Sequence, residues 1–223
     1  MESEHASIIA AYAKVGHINY EMPAAELKRL SECTPSTVEM SATAYALVAL
    51  ILREVGVAPT NLTRTCPRCG SHRHGVLSAP GLGISVSHVA GHVIAVVDRD
   101  GHSLGVDIEL VRRADQVRTV WNAISQRVVP DTPQQIVCEW TKLEAASKAM
   151  GLGLALDFRQ VITLPGGLLA VDSTLLEVIE LTRLPLEIIG TAVRILRSIV
   201  AVDVLSRTTP RVHWLNLDPP RRT

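Results

Sequence analysis

Four side chains in two stretches of the sequence carry types and spacings that do chemistry. The stretch Leu104–Leu110 alternates, with Val106, Ile108 and Leu110 on one side and Asp107 and Glu109 on the other, because residues two apart share a face of a strand. Further along, Glu144 and Lys148 stand four apart and so meet on one face of a helix. They flank a stripe at helical spacing made of Ile136, Trp140, Leu143, Ser147 and Met150. Asp107, Glu109 and Glu144 are hard oxygen donors of the kind that suit Mg²⁺ or Mn²⁺, and Lys148 suits a phosphate. Taken singly, each half also fits something simpler. Alternating acids fit a solvated strand face, and a Glu–Lys pair at this spacing fits a surface ion pair worth a few tenths of a kcal/mol.

The elements that must position these groups are marked by their own start and stop signals. The helix opens at Thr132-Pro133 and ends at Gly151, with Pro at the first helical position and Gly after the last periodic residue. Upstream, Leu82–His88 alternates and Val93–Val97 is a continuous apolar run, so residues 82 to 110 read as three strands. A short apolar run covers Ile8–Tyr12, and a helix is expected over Pro23–Leu30. Ser36-Thr37-Val38-Glu39 reads as a capping box for a core helix running to Arg53. Beyond Gly151, Phe158–Leu164 and Leu168–Val171 form a hairpin around Pro165-Gly166-Gly167. Ile188–Leu196 and Ile199–Leu205 read as further strands, and residues 206–223, with three Pro and four Arg, as a loosely attached tail.

Composition narrows the classes. Lys plus Arg and Asp plus Glu number 22 each, for a formal net charge of zero, which argues against a general nucleic-acid binder. The start, Met1-Glu2-Ser3-Glu4-His5, is wrong for a secretory signal. No apolar run is expected to reach the ~20 residues of a membrane helix. Four Cys in 223 residues do not suggest a disulfide scaffold. The expectation is a cytoplasmic monomer, engaging neither nucleic acid nor membrane.

Read together and in order, the two stretches resemble the 4′-phosphopantetheinyl transferases of the Sfp type. In that family a Gly-Val/Ile-Asp-x-Glu strand is followed, a few dozen residues on, by Trp-Ser/Thr-x-Lys-Glu-Ala-x-x-Lys. Gly105, Asp107, Glu109, Trp140, Thr141, Glu144, Ala145 and Lys148 fall in place. Gly151-Leu152-Gly153-Leu154 and Ile84-Ser85-Val86-Ser87-His88 with Gly91 are also similar to the family, and the matching part runs from about residue 64 to residue 165.

The resemblance implies an α+β fold of two similar α/β subdomains related by a pseudo-twofold, residues 1–103 and 104–205, with the active site at their interface. It implies Mg²⁺-dependent transfer of 4′-phosphopantetheine from coenzyme A to a serine of an acyl or peptidyl carrier protein, with 3′,5′-ADP as the other product. Asp107, Glu109 and Glu144 would hold the Mg²⁺. Asp107, Glu144 and Lys148 would be catalytic, Glu144 taking the serine proton and Lys148 neutralising the departing phosphate. Ser87, His88, Lys148, His74 and Arg73 would contact the coenzyme. The connection 111–131, with Arg112, Arg113, Arg118 and Arg127, would help receive the acidic carrier; on its own it also reads as a solvated amphipathic helix.

Three positions depart from the family pattern. The helix starting near Ser36 has no basic residue before Arg53, Val76 stands where a basic residue is usual, and Leu143 replaces the usual Lys before Glu144, with Lys142 one place early. Lys28, Arg29 or Arg73 are candidates to replace the missing phosphate contacts. The departures keep open a second reading, a catalytically weakened relative that binds carrier protein or coenzyme A without turnover. Cys66, Cys69, His72 and His74 fit a compact zinc knuckle by ligand type, which leaves a third, weaker reading as a zinc-dependent adaptor. The preferred reading of this loop is a border of the coenzyme pocket.

Overall fold

The computed structural model describes residues 7–18, 22–66, 69–71, 75–125, 130–196, 212–215 and 217. The expected strand at Ile199–Leu205 and the side chains of His72, Arg73, His74 and Arg127 lie outside them. In chain order the elements are β1 (Ile8–Lys14), α1 (Ala24–Leu30), α2 (Pro35–Glu54), β2 (Thr63–Thr65), β3 (Val76–Ser78), β4 (Gly83–Val89), β5 (His92–Asp98), β6 (Leu104–Leu110), α3 (Ala114–Ile124), α4 (Pro133–Ala149), β7 (Val161–Leu164), β8 (Leu168–Val171), β9 (Thr174–Glu180), β10 (Ile188–Ile195) and β11 (Val212–Trp214). The fold is mixed α+β, with four α-helices and several sheets among the described residues.

One sheet has the order β11-β1-β5-β4 and another the order β6-β10-β9-β8-β7. The strand period of two decides what each face covers. Ile9, Ala11 and Ala13 of β1 and Val93, Ala95 and Val97 of β5 pack under α2. The alternate residues Ile8, Ala10, Ile94 and Val96 pack instead with Val106, Ile108, Leu110 and Ala192 of the second sheet. The far face of that second sheet carries α3 and α4, through Trp121, Ile136, Leu143, Ala145, Leu176 and Val193.

The two sheets meet along β4 and β6, where side-chain hydroxyls join the edges. Ser85 Oγ accepts the Val106 N–H at 2.9 Å, and Ser87 Oγ accepts the Ile108 N–H at 3.4 Å. A buried charge network ties the opposite ends of the strands. Arg194 of β10 donates to Glu177 of β9 at 2.5 Å, to Asp98 of β5 at 3.2 Å and to Ser7 at 3.1 Å.

Several expectations are refined. The N-cap of α2 is Thr34, whose hydroxyl accepts the Thr37 N–H, with Pro35 in the first turn. The expected Ser36 capping box therefore lies inside the helix. Pro35 moves the start because its φ suits the first helical position and its missing N–H is not needed there. By length and composition alone α2 is long and apolar enough to cross a membrane, contrary to the expectation, although half of that stretch is buried inside the fold. At α4 the expected start holds: Thr132 and Gln135 form a reciprocal capping box, and Pro133 opens the helix. The segment 206–223 is more than a loose tail, since Val212–Trp214 pairs in parallel with Ile8–Ala10.

Candidate functional site

The strand β6 has two faces of different chemistry, and both are covered. Asp107 and Glu109 are each only 8% exposed, which excludes the solvated-face reading. α4 lies directly on their side of the strand. A Cβ on Gly105 would fall 1.9 Å from the carbonyl oxygen of Ala145 and 2.5 Å from the amide nitrogen of Ala149. Gly105 thus sets the distance between strand and helix backbones, and that closeness lets side chains from both reach one point. Thr141 of α4 and Thr191 of β10 add a buried hydroxyl pair at 3.0 Å.

At that point Lys148 Nζ donates to Asp107 Oδ1 at 2.7 Å, to the Val106 carbonyl at 2.9 Å and to Ser87 Oγ at 3.1 Å. Ser87 donates to the same Asp107 oxygen at 2.9 Å. Three elements, β4, β6 and α4, therefore converge on one carboxylate. Ser87, expected to face a coenzyme, is buried and engaged inside this cluster. His88, the next residue, points outward and lines two adjoining cavities.

The first cavity, of about 590 Å³, is mainly apolar, with Met40, Ala44, Val76, Leu77 and Ile84 in its wall and Lys148 and Arg64 as its cations. Cys66, which opens the Cys-x-x-Cys segment, and Gly75, which follows His74, border it, while Cys69 is exposed. The second cavity, of about 660 Å³, gathers Asp107, Glu109, Glu144, Arg113, Trp140 and the β4–β5 turn at Ala90-Gly91. Met40 and His88 line both.

The three carboxylates share the second cavity in different states. Asp107 is countered by Lys148. Glu109 is held by Arg113, whose Nη1 lies 3.0 Å and 3.3 Å from its two oxygens, and it also accepts the Leu110 N–H at 2.8 Å. Glu144 has no hydrogen-bond or ion-pair partner among the described residues. Burial, and then the charge of Asp107, push its carboxyl above the usual range, against an opposing pull from Lys148. Among the described residues, the carboxylate and imidazole set with ligand atoms within 4.8 Å of one another is Asp98, Asp100 and His102. Asp107, Glu109 and Glu144 are not drawn that close, and Asp98 is already bonded to Arg194.

The raised Glu144 pKa makes stability pH-dependent. The folded protein binds this proton more tightly than the unfolded chain, so the Glu144 contribution is fully present below the ordinary carboxylate pKa. It is lost as pH rises through the raised folded value. Glu144→Gln is expected to raise the melting temperature relative to wild type at pH 7 more than at pH 4. A wild-type-to-variant difference that does not change with pH would contradict this electrostatic account.

Two cations and one apolar side chain escape the motif. Arg64 on β2 reaches the first cavity with its Nε 3.3 Å from Glu26 and its Nη1 2.6 Å from the Gly75 carbonyl. Arg29, a candidate replacement for the missing basic residues, is paired with the same Glu26 at 2.8 Å. Arg113 follows Glu109 by four residues, but no helical register links them; the short 3₁₀ turn after β6 brings them together. Leu143 is 1% exposed and belongs to the core under α4, so a Lys at that position would have to be buried. Lys142 turns away to Glu139 at 2.8 Å.

No model of a known protein family matches the chain, and no curated protein matches it either.

Proposed function

We propose that the protein is a 4′-phosphopantetheinyl transferase of the Sfp type, moving the phosphopantetheine of coenzyme A to a carrier-protein serine. The observation that carries this reading is the convergence of Asp107, Lys148 and Ser87 beside Glu144, at the seam of the two sheets and next to a largely apolar cavity. In this reading the two helix-on-sheet units are the pseudo-twofold halves, divided near residue 103, and the groove between them receives the coenzyme.

The carboxylate cavity fits a divalent cation by its donors. Hard oxygens suit Mg²⁺, and Glu144 stands buried beside Asp107 with no ion-pair partner among the described residues, its carboxyl raised first by that burial and then by the Asp107 charge. Asp107, Glu109 and Glu144 would hold the ion, which when bound offsets charge on the phosphates. Lys148, whose three N–H donors go to Ser87, Val106 and Asp107, would act on a phosphate at the wall of the apolar cavity through its charge and not through a free donor. Glu144, with no resident partner, is suited to accept the serine proton through the carboxylate oxygen that the ion does not take. Arg64 supplies a cation on the same cavity wall as Val76, where the sequence pattern shows none.

A second reading, a relative that binds without turnover, draws on Glu109 being held by Arg113. One experiment separates them. Apo carrier proteins of fatty-acid, polyketide and peptide type are incubated with the protein, coenzyme A and Mg²⁺, then weighed by mass spectrometry. Transfer adds ~340 Da, one phosphopantetheine group. Coenzyme A binding by calorimetry with no mass gain on any carrier supports the second reading, and absence of both overturns the family reading.

A further inference from the structure

We infer that Arg113 is a resident, displaceable counter-ion of Glu109, which lowers the affinity of the carboxylate cavity for a divalent cation until that cation takes its place. The inference rests on reading this cavity as a cation site, and it does not depend on which group is transferred there.

The two ion pairs in the cavity differ in which partner is free to move. Lys148 is tied to Asp107 by one of three hydrogen bonds to separate acceptors on β4 and β6. Losing its place would take one donor each from a serine, a carbonyl and a carboxylate. Arg113 is anchored less firmly. Its guanidinium reaches Glu109 through Nη1 alone and Gln116 through Nε at 2.8 Å, and its side chain is 46% exposed. Glu109 is the fixed member. Its side chain is 10% exposed and its Oε1 also accepts the Leu110 N–H, which pins the carboxylate to its own strand.

A divalent ion arriving beside Asp107, Glu109 and Glu144 meets Arg113 as the like charge with an open path to water. A guanidinium that swings out regains hydration, whereas a nearly buried carboxylate left alone does not. The exchange therefore replaces one cation on Glu109 by another of higher charge. Arg113 also fills the role of a placeholder, because Glu109 would otherwise stand as a buried, uncompensated charge in the ion-free protein.

The test is a titration of the purified full chain with Mn²⁺, free ion being followed by its electron paramagnetic resonance signal, with no coenzyme or carrier present. Arg113→Gln is expected to bind Mn²⁺ roughly tenfold more tightly than wild type, the gain expected where the ion-competent state, with Arg113 off Glu109, is populated about one tenth of the time. Arg113→Lys, which keeps the charge without the planar fork, should fall between them. In a Glu109→Gln background, binding should be weaker than wild type and Arg113→Gln should add nothing. Equal or weaker binding by Arg113→Gln would show that the Arg holds Glu109 in place for the ion, and would overturn the proposal. A gain of the same size in the Glu109→Gln background would also overturn it, by showing a general charge effect. Failure of every variant to bind Mn²⁺ removes the cation site itself, while the mass-shift assay on carrier proteins still reports independently on transfer.

Discussion

Gly105→Ala is expected to destabilise the protein by about 3 kcal/mol or more and to lower its melting temperature by roughly 6–12 °C. The added methyl carbon would meet the Ala145 carbonyl oxygen at 1.9 Å and the Ala149 amide nitrogen at 2.5 Å. Both are backbone atoms of α4, so no rotamer change relieves the overlap and the helix must lift from β6. A lifted α4 stretches the 2.7 Å Asp107–Lys148 pair, the 2.9 Å Lys148–Val106 bond and the 3.0 Å Thr141–Thr191 pair together. The proposed transfer activity should therefore fall further than the folded fraction does at the assay temperature. Ala145→Gly is not expected to rescue the variant, because the clash is with main-chain oxygen and not with the alanine methyl. Thermal melts of the single and double variants decide this, and a wild-type transition for Gly105→Ala would mean that strand and helix do not touch at this glycine.

This packing explains how much of the site was legible in the sequence. The spacing of Asp107 and Glu109, and of Glu144 and Lys148, is local and survives folding unchanged, so strand and helix periods place each pair. The small residues Gly105, Ala145 and Ala149 carry the contact between the two elements. Local pattern also marks the start of α4, where Thr132, Pro133 and Gln135 act within one turn.

What periodicity does not reach is tertiary. In Thr174–Glu180 the apolar residues Leu175, Leu176, Val178 and Ile179 recur at both helical and strand intervals, so the period does not single out β9. The buried Glu177 there is answered by Arg194, 17 residues on. Arg64 enters the cavity wall because β2 pairs with β3, bringing Thr65 opposite Val76, and no short motif contains that pairing. Ser87 shows the converse. Its place at the end of a strand next to His88 suggests a ligand contact, but the meeting of the β4 and β6 edges turns its hydroxyl to Asp107, Ile108 and Lys148.

Under the proposed function, Asp107→Asn is expected to cut phosphopantetheine transfer by about a hundredfold to a thousandfold, the scale seen when a preorganised electrostatic group is removed, while the protein remains folded. The substitution is nearly isosteric. An asparagine oxygen can still accept from Lys148 and Ser87, so the hydrogen bonds joining β4, β6 and α4 have a partner. The charge alone is lost, and three functions go with it in the proposed mechanism. A divalent cation loses one of its carboxylates, Lys148 loses the anion that aims it, and Glu144 loses the neighbour whose charge raises its proton affinity. The last consequence has its own readout. With Asp107 neutral, the Glu144 carboxyl pKa should move down toward the usual range, and the stability window that it controls should narrow from its upper end. Steady-state transfer rates, thermal melts and a pH series of melts on one preparation test all three. Transfer within tenfold of wild type would remove Asp107 from the chemistry. Lost transfer accompanied by an unfolded protein would make the residue structural. Lost transfer with a native melt and a shifted pH window places its charge at the centre of the site.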